Sequence, residues 1–188
     1  MSTVLPGGAE LSGPLAGELD SDRTRVRVAF WTSMTVVLFA DLITKSIAAA
    51  TLMLWHPPRQ VFGDALRFAI AYNPGVAFGW HVGDMSRPVF SVLAVIVLLI
   101  LFRLYAITPA WDGGRALALG LICGGAIGNL VDRLRSPRGV VDFIDIGIGD
   151  MRWWTFNLAD VGVGIGAVML IRILWREEDS DPGPAPSA

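Results

Sequence analysis

Four apolar runs, each long enough or nearly long enough to cross a bilayer, dominate this chain and restrict what it can become. They cover about Val28 to Trp55, Pro88 to Phe102, Ala116 to Val131 and Phe156 to Trp175. About 20 helical residues span the ~30 Å hydrocarbon layer, so such runs are read as membrane helices. Backbone polar groups must be satisfied inside lipid, which leaves helices or a closed barrel. Runs of this length and spacing favour helices. The chain has 188 residues, 53% of them hydrophobic, with a mean hydropathy of +0.55. The fold class expected is an all-α membrane protein with four transmembrane helices and a small extracytoplasmic β element, in which "LRFAIAY" (66–72) reads as a strand and "NPG" (73–75) as a turn.

The flanks differ in kind. Residues 1–22 and 177–188 are rich in Gly, Pro, Ser and acids and are expected to be disordered cytoplasmic tails around a membrane domain spanning 23–176. The first run is preceded by Arg23, Arg25 and Arg27 and followed by Ala48 to Ala50, which resembles a cleavable signal. It is too long for that, and it carries two charges, so it is expected to remain. Arginines divide evenly between the two sides of a four-span topology. The first span, with three arginines close before it and none after until Arg59, places both termini in the cytoplasm. Two segments, about 56–87 and 133–155, then lie outside.

Polar residues interrupt the runs at one depth. Asp41 lies about 20 Å into the first helix, and Lys45, the sole lysine, follows one turn later. Asn129, Asp132 and Arg133 close the third run. Asn157 and Asp160 open the fourth. The pairs 41/45, 129/132 and 157/160 are spaced three or four residues apart, so each shares a helix face. Ionisable groups inside membrane spans usually face the bundle interior and mark functional sites. Asp41 and Lys45 can neutralise one another in a structural ion pair. Asp132 can cap or bridge beside Arg133. Asp160 has no basic residue near it in its own helix before Arg172.

An unpaired carboxyl at a membrane surface, joined by a second one sharing its proton, is the arrangement of an aspartic hydrolase. Asp132, Asp142, Asp145 and Asp150 are all candidates for the partner. The apolar wrapping of Asp142 by Val140, Val141, Phe143 and Ile144 favours it without deciding. Other chemistries fit less well. His56 and His81 fall in the first outer segment, so no Ser-His or Cys-His arrangement emerges, and no cluster has metal-ligand spacing. No metal or other cofactor is expected. Cys123, the single cysteine, sits in an apolar run and reads as a packed core residue. "GGAIGN" (124–129) lacks the strand before and the lysine after that a phosphate loop needs, so helix packing explains it better. Gly162 and Gly166 form a second packing signature. The net charge of -2 gives no reason to expect a nucleic-acid partner. The chief rival function is a small proton-coupled transporter using Asp41 and Asp160. It is disfavoured by the off-centre acids and the lack of an internal repeat. A membrane scaffold would gain nothing from unpaired acids.

Five blocks in order, "DLITK" (41–45), "NPGVAFG" (73–79), "GGAIGNLVDR" (124–133), "GVVDFID" (139–145) and "FNLAD" (156–160), resemble the lipoprotein signal peptidases, the signal peptidase II family. The resemblance implies a monomeric aspartic endopeptidase of the bacterial cytoplasmic membrane with an outward-facing site. Its implied partners are membrane lipids and diacylglyceryl-modified prolipoproteins, cut just before the lipidated cysteine. It implies Asp142 and Asp160 as the catalytic pair, and Asn73, Asn129 and Arg133 as substrate contacts. Asn157 would support the acids within the same site, and Asp41, Lys45 and Asp132 would hold the architecture together.

Overall fold

The computed structural model describes residues 14–54, 56–74 and 85–180. Eight elements follow one another along the chain: α1 (Pro14–Thr51), β1 (Arg59–Phe62), β2 (Leu66–Asn73), α2 (Ser86–Ala106), α3 (Gly113–Arg135), β3 (Val140–Ile148), β4 (Met151–Arg152) and α4 (Leu158–Ser180). All four helices are long and apolar enough to span a membrane. The protein is a multi-pass membrane protein. Apolar side chains such as Val36, Phe39, Ile43, Val92, Leu99, Ile100 and Val168 point outward, which is costly in water and favourable in lipid. Exposed Trp153 and Trp154 lie at the sheet end of the bundle; Trp31, Trp111 and Trp175 lie toward the other, as interfacial aromatics do.

Helix α3 is the centre of the bundle, packing against α1, α2 and α4. Its glycines explain why. Gly120 and Gly124 meet the backbone of α1 at Phe30 and Met34, while Gly125 meets that of α4 at Ala159, so closely that a Cβ would collide. Lipid offers no hydrophobic drive between helices, so close backbone approach supplies the dispersion energy instead. Gly166 on α4 meets the α3 backbone at Ala118 in the same way, while Gly162, one turn earlier, lies against the Val37 side chain of α1. Phe30 is fully buried and stacks on Tyr105 at 3.7 Å between ring centroids, with Leu119 and Cys123 in the same cluster. Cys123 is therefore the packed residue its neighbours suggest.

The four strands form one antiparallel sheet in the order β1-β2-β3-β4 at the end of the bundle where α1 and α3 finish and α2 and α4 begin. The sheet is larger than the single strand expected. β3, "VVDFIDIGI", provides the surface on which β2 pairs, from Leu66↔Ile146 to Asn73↔Val140. Strand alternation puts Asp142 and Asp145, three residues apart, on opposite faces. Gly63 and Gly149, with φ of 51° and 55°, turn the two hairpins in a backbone region that side chains disfavour.

Two boundaries differ from expectation. Residues 14–22 are the first turns of α1, and α4 continues through 177–180. Composition suggests tails because both stretches are rich in Gly, Pro, Ser and acids. Extending an existing helix needs no new nucleus, so propensity and local bonds suffice. Arg25 pairs with Asp22 at 3.6 Å, and Glu177 pairs with Arg115 of α3. Residues 1–13 and 181–188 lie outside the described residues, as do His81 and most of "NPGVAFG".

Candidate active site

The site grows from the junction of β3 with the start of α4. The backbone of Phe156 pairs with Ile144, N to O at 3.0 Å and in return at 2.8 Å. That pairing holds residue 157 beside residue 142. Asn157 then caps α4: its Oδ1 accepts from the Asp160 N–H at 3.0 Å, and its own N–H donates to Asp160 Oδ2 at 3.1 Å. This is a reciprocal capping box, in which the third helical residue reaches back to the cap. "NLAD" carries that signature, which the spacing argument read only as a shared face. Asp160 thus has a structural partner as well as a place in the site.

The Asn157 amide does more than cap. Its Nδ2 donates to Asp142 Oδ1 at 2.6 Å, with longer contacts to Val141 O at 3.3 Å and Asn129 Oδ1 at 3.2 Å. Asn129 donates from Nδ2 to Asp160 Oδ1 at 2.9 Å. The two carboxyls are therefore linked through two fully specified amides. Asn73, at the end of β2, hydrogen-bonds Asp142 from the other side. Asp142 is only 5% exposed, whereas Asp160 is open. Burial above all, then the charge of Asp160, pushes the Asp142 carboxyl up to about 7, against the opposing hydrogen bond from Asn157.

Beneath this pair lies a cationic anchor. Lys45 is 3% exposed and reaches Asp41 at 2.7 Å, Asp132 at 2.9 Å and Asn129 Oδ1 at 2.8 Å. One ammonium with three donors thus joins α1 to α3 and orients Asn129, which in turn holds Asp160. Asp41 accepts from Ala159 N on α4 at 2.9 Å, and Asp132 from Val141 N on β3 at 3.1 Å. Gly128 leaves room for the Asp41 carboxylate against α3. Arg133 bonds Asn129 O at 3.3 Å and lies within electrostatic reach of Asp160, Asp142 and Asp132.

All nine residues singled out from the sequence meet in this one region. The four candidates for the second acid separate clearly. Asp132 is engaged by Lys45. Asp145, on the opposite face of β3, is held by Arg67 at 2.8 Å and Arg152 at 2.9 Å. Asp150 is exposed in the hairpin turn. Asp142 alone shares a hydrogen-bond bridge with Asp160. The Arg67–Asp145–Arg152 cluster, with Asp64, was not foreseen. Asp64 accepts from Gly149 N at 2.6 Å, and that bond, followed by the arginines, holds its carboxyl below the usual range. The cross-strand pairing Arg67↔Asp145 would have required the register in advance. Among the described residues no group of three or more His, Cys, Asp or Glu side chains is arranged to hold a metal ion.

Fold and site together define a polytopic membrane protein with a buried–exposed pair of carboxyls at one end of its helices. Two solved bacterial membrane enzyme structures share that fold. One superposes with a TM-score of 0.71 at 26% identity over 87% of this chain and 94% of its own, the other with 0.67 at 29% over 80% and 92%. The chain belongs to the signal peptidase II family, whose sequence model matches residues 33–176, and it is a protease by that membership. Similar proteins are the lipoprotein signal peptidases of Streptomyces coelicolor, 37% identical over 88% of this chain and 79% of the relative, and of Aquifex aeolicus, 40% identical over 78% and 87%. That of Mycolicibacterium smegmatis is 36% identical over 92% and 73%. None of these findings supports the transporter alternative.

Proposed function

We propose that this protein is an aspartic endopeptidase that removes signal peptides from diacylglyceryl-modified prolipoproteins, cutting just before the lipidated cysteine. The observation that carries it is the amide of Asn157, which donates to Asp142 Oδ1 while its backbone N–H donates to Asp160 Oδ2. One residue thus sets the relative position of two carboxyls with different environments. Environments that differ in this way separate an acid from a base.

Asp142, buried and pushed up to about 7, holds the shared proton at rest. Asp160 takes a proton from water as the water oxygen bonds to the scissile carbonyl carbon. Asp142 passes its proton to the carbonyl oxygen. The resulting diol collapses, the C–N bond breaks, and Asp160 gives its proton to the departing amine nitrogen. Asp142 recovers its own proton from the hydroxyl. Asn73, Asn129, Arg133 and Asn157 line the place where substrate would lie. Asp41, Lys45 and Asp132 hold the helices that carry them.

The working body is 23–176, with both termini in the cytoplasm and the site on the outer face of the bacterial cytoplasmic membrane. The first span's arginines support that orientation. A substrate anchored by its acyl groups reaches the site at the bilayer boundary, where water is available. One chain contains all the groups required, so it acts as a monomer. The test is to incubate purified protein with a lipid-modified prolipoprotein and compare wild type with Asp142→Asn and Asp160→Asn. Wild type should cleave, and each variant should lose at least about 10³-fold in kcat. Appreciable cleavage by either variant would refute the assignment.

A further inference from the structure

A cavity of about 480 Å³ opens between α1 and the sheet. Thr44, Ile47, Ala48 and Thr51 form one wall, at positions i, i+3, i+4 and i+7 of the same helix face. Val61, Phe68 and Phe143 form the other wall. Neither Asp142 nor Asp160 is among the residues that line the cavity. Its volume lies in the range of pockets that hold a small ligand.

The lining says which ligand. The groove belongs to the last turns of a membrane helix and runs beside outward-facing Ile43 and Ile47, so acyl chains are its natural neighbours. Arg59 stands at the rim, exposed, and makes no ion pair among the described residues. A smaller cavity that shares Thr51, Leu52, Arg59 and Phe68 with it brings in His56. Among the described residues no carboxylate lines either cavity. A neutral diacylglyceryl group would fill the groove yet leave the guanidinium without a counter-charge. A phosphodiester would satisfy it with charge-assisted bonds. A zwitterionic headgroup would bring an ammonium for which the rim has no acceptor carboxylate.

We infer that the groove between α1 and β1–β3 binds an anionic glycerophospholipid of the bilayer, one acyl chain between Ile47 and Phe143 and the phosphate on Arg59. The bound lipid braces the sheet against α1. This inference needs only the membrane fold and does not depend on the peptidase chemistry.

The test uses the full-length protein in detergent micelles, with thermal unfolding followed during titration by phosphatidylglycerol, phosphatidylcholine, diacylglycerol or inorganic phosphate. Phosphatidylglycerol should raise the unfolding temperature to a plateau at concentrations where phosphatidylcholine and diacylglycerol have little effect, and phosphate alone none. Arg59→Gln, an exposed change, should unfold like wild type without lipid and need about tenfold more phosphatidylglycerol or above. Val61→Trp, which fills the groove, should abolish the response. Equal titration by phosphatidylcholine, an unchanged Arg59→Gln response, or reproduction of the effect by phosphate would each overturn the proposal. If either variant fails to fold, native mass spectrometry of the wild type decides: preferential retention of phosphatidylglycerol over phosphatidylcholine supports the site, and equal retention overturns it.

Discussion

Replacing Asp142 with Asn should inactivate the protein and stabilise it at the same time. Asp142 is 5% exposed, and its carboxyl rises from an ordinary 3.8 to about 7. A tenfold change in proton affinity corresponds to about 1.36 kcal/mol, so ionising this group in the folded protein costs ~4 kcal/mol relative to the unfolded chain. The sign follows from proton binding. Between about pH 4 and 7 the folded state keeps a proton that the unfolded state has released. Wild-type stability therefore declines as pH rises through that window and levels off above about 7. Asn has no proton to lose, and its Oδ1 can still accept from Asn157 Nδ2. At pH 8 Asp142→Asn should exceed wild type by as much as ~4 kcal/mol, and the gap should shrink toward pH 4. Tryptophan fluorescence during thermal unfolding in detergent, at pH 4.5, 6 and 8, measures it; the chain has 7 tryptophans to report. A variant less stable than wild type at pH 8, or a gap that ignores pH, would show that the acid is a structural partner and not a strained functional group.

The same proton sets the pH profile of cleavage. As pH rises past about 7, Asp142 loses the proton that polarises the carbonyl, so kcat/KM should fall with an apparent pKa near 7. A flat profile from pH 6 to 9 would contradict that role. Lys45→Met leaves the buried Asp41 and the partly buried Asp132 without their cation and should cost about 3–5 kcal/mol, read as a lowered unfolding temperature. No change in unfolding temperature would mean that the ammonium is not the anchor. Asn157→Ala removes the cap of α4 and the bridge between the carboxyls. It should cost about 1–2 kcal/mol of stability and, separately, a far larger share of activity. Loss of stability alone, with cleavage preserved, would confine Asn157 to capping.

Much of this architecture is written in local sequence. Four apolar runs in lipid have little choice but to be helices, because no water is present to satisfy an open backbone. Small residues in the third run announce where backbones approach. Polar residues at one depth on three runs announce a shared site, since burying each alone would be too costly. Even the capping box is legible in "NLAD". The helical stretches 14–22 and 177–180 were harder to read, because they extend helices nucleated elsewhere and leave no apolar stripe of their own.

The choice among Asp132, Asp142, Asp145 and Asp150 is different in kind. From the residues alone, apolar flanks favour Asp142, and only the family likeness names it. In the structure the separation comes from β3: its pairing with β2 and with Phe156, and the alternation that turns residue 142 toward Asn157 and residue 145 toward two arginines. Helix identity depends on neighbours one turn away and can be read along the chain. Strand register and cross-element hydrogen bonds join residues as far apart as 41 and 159, and those exist only once the chain has folded.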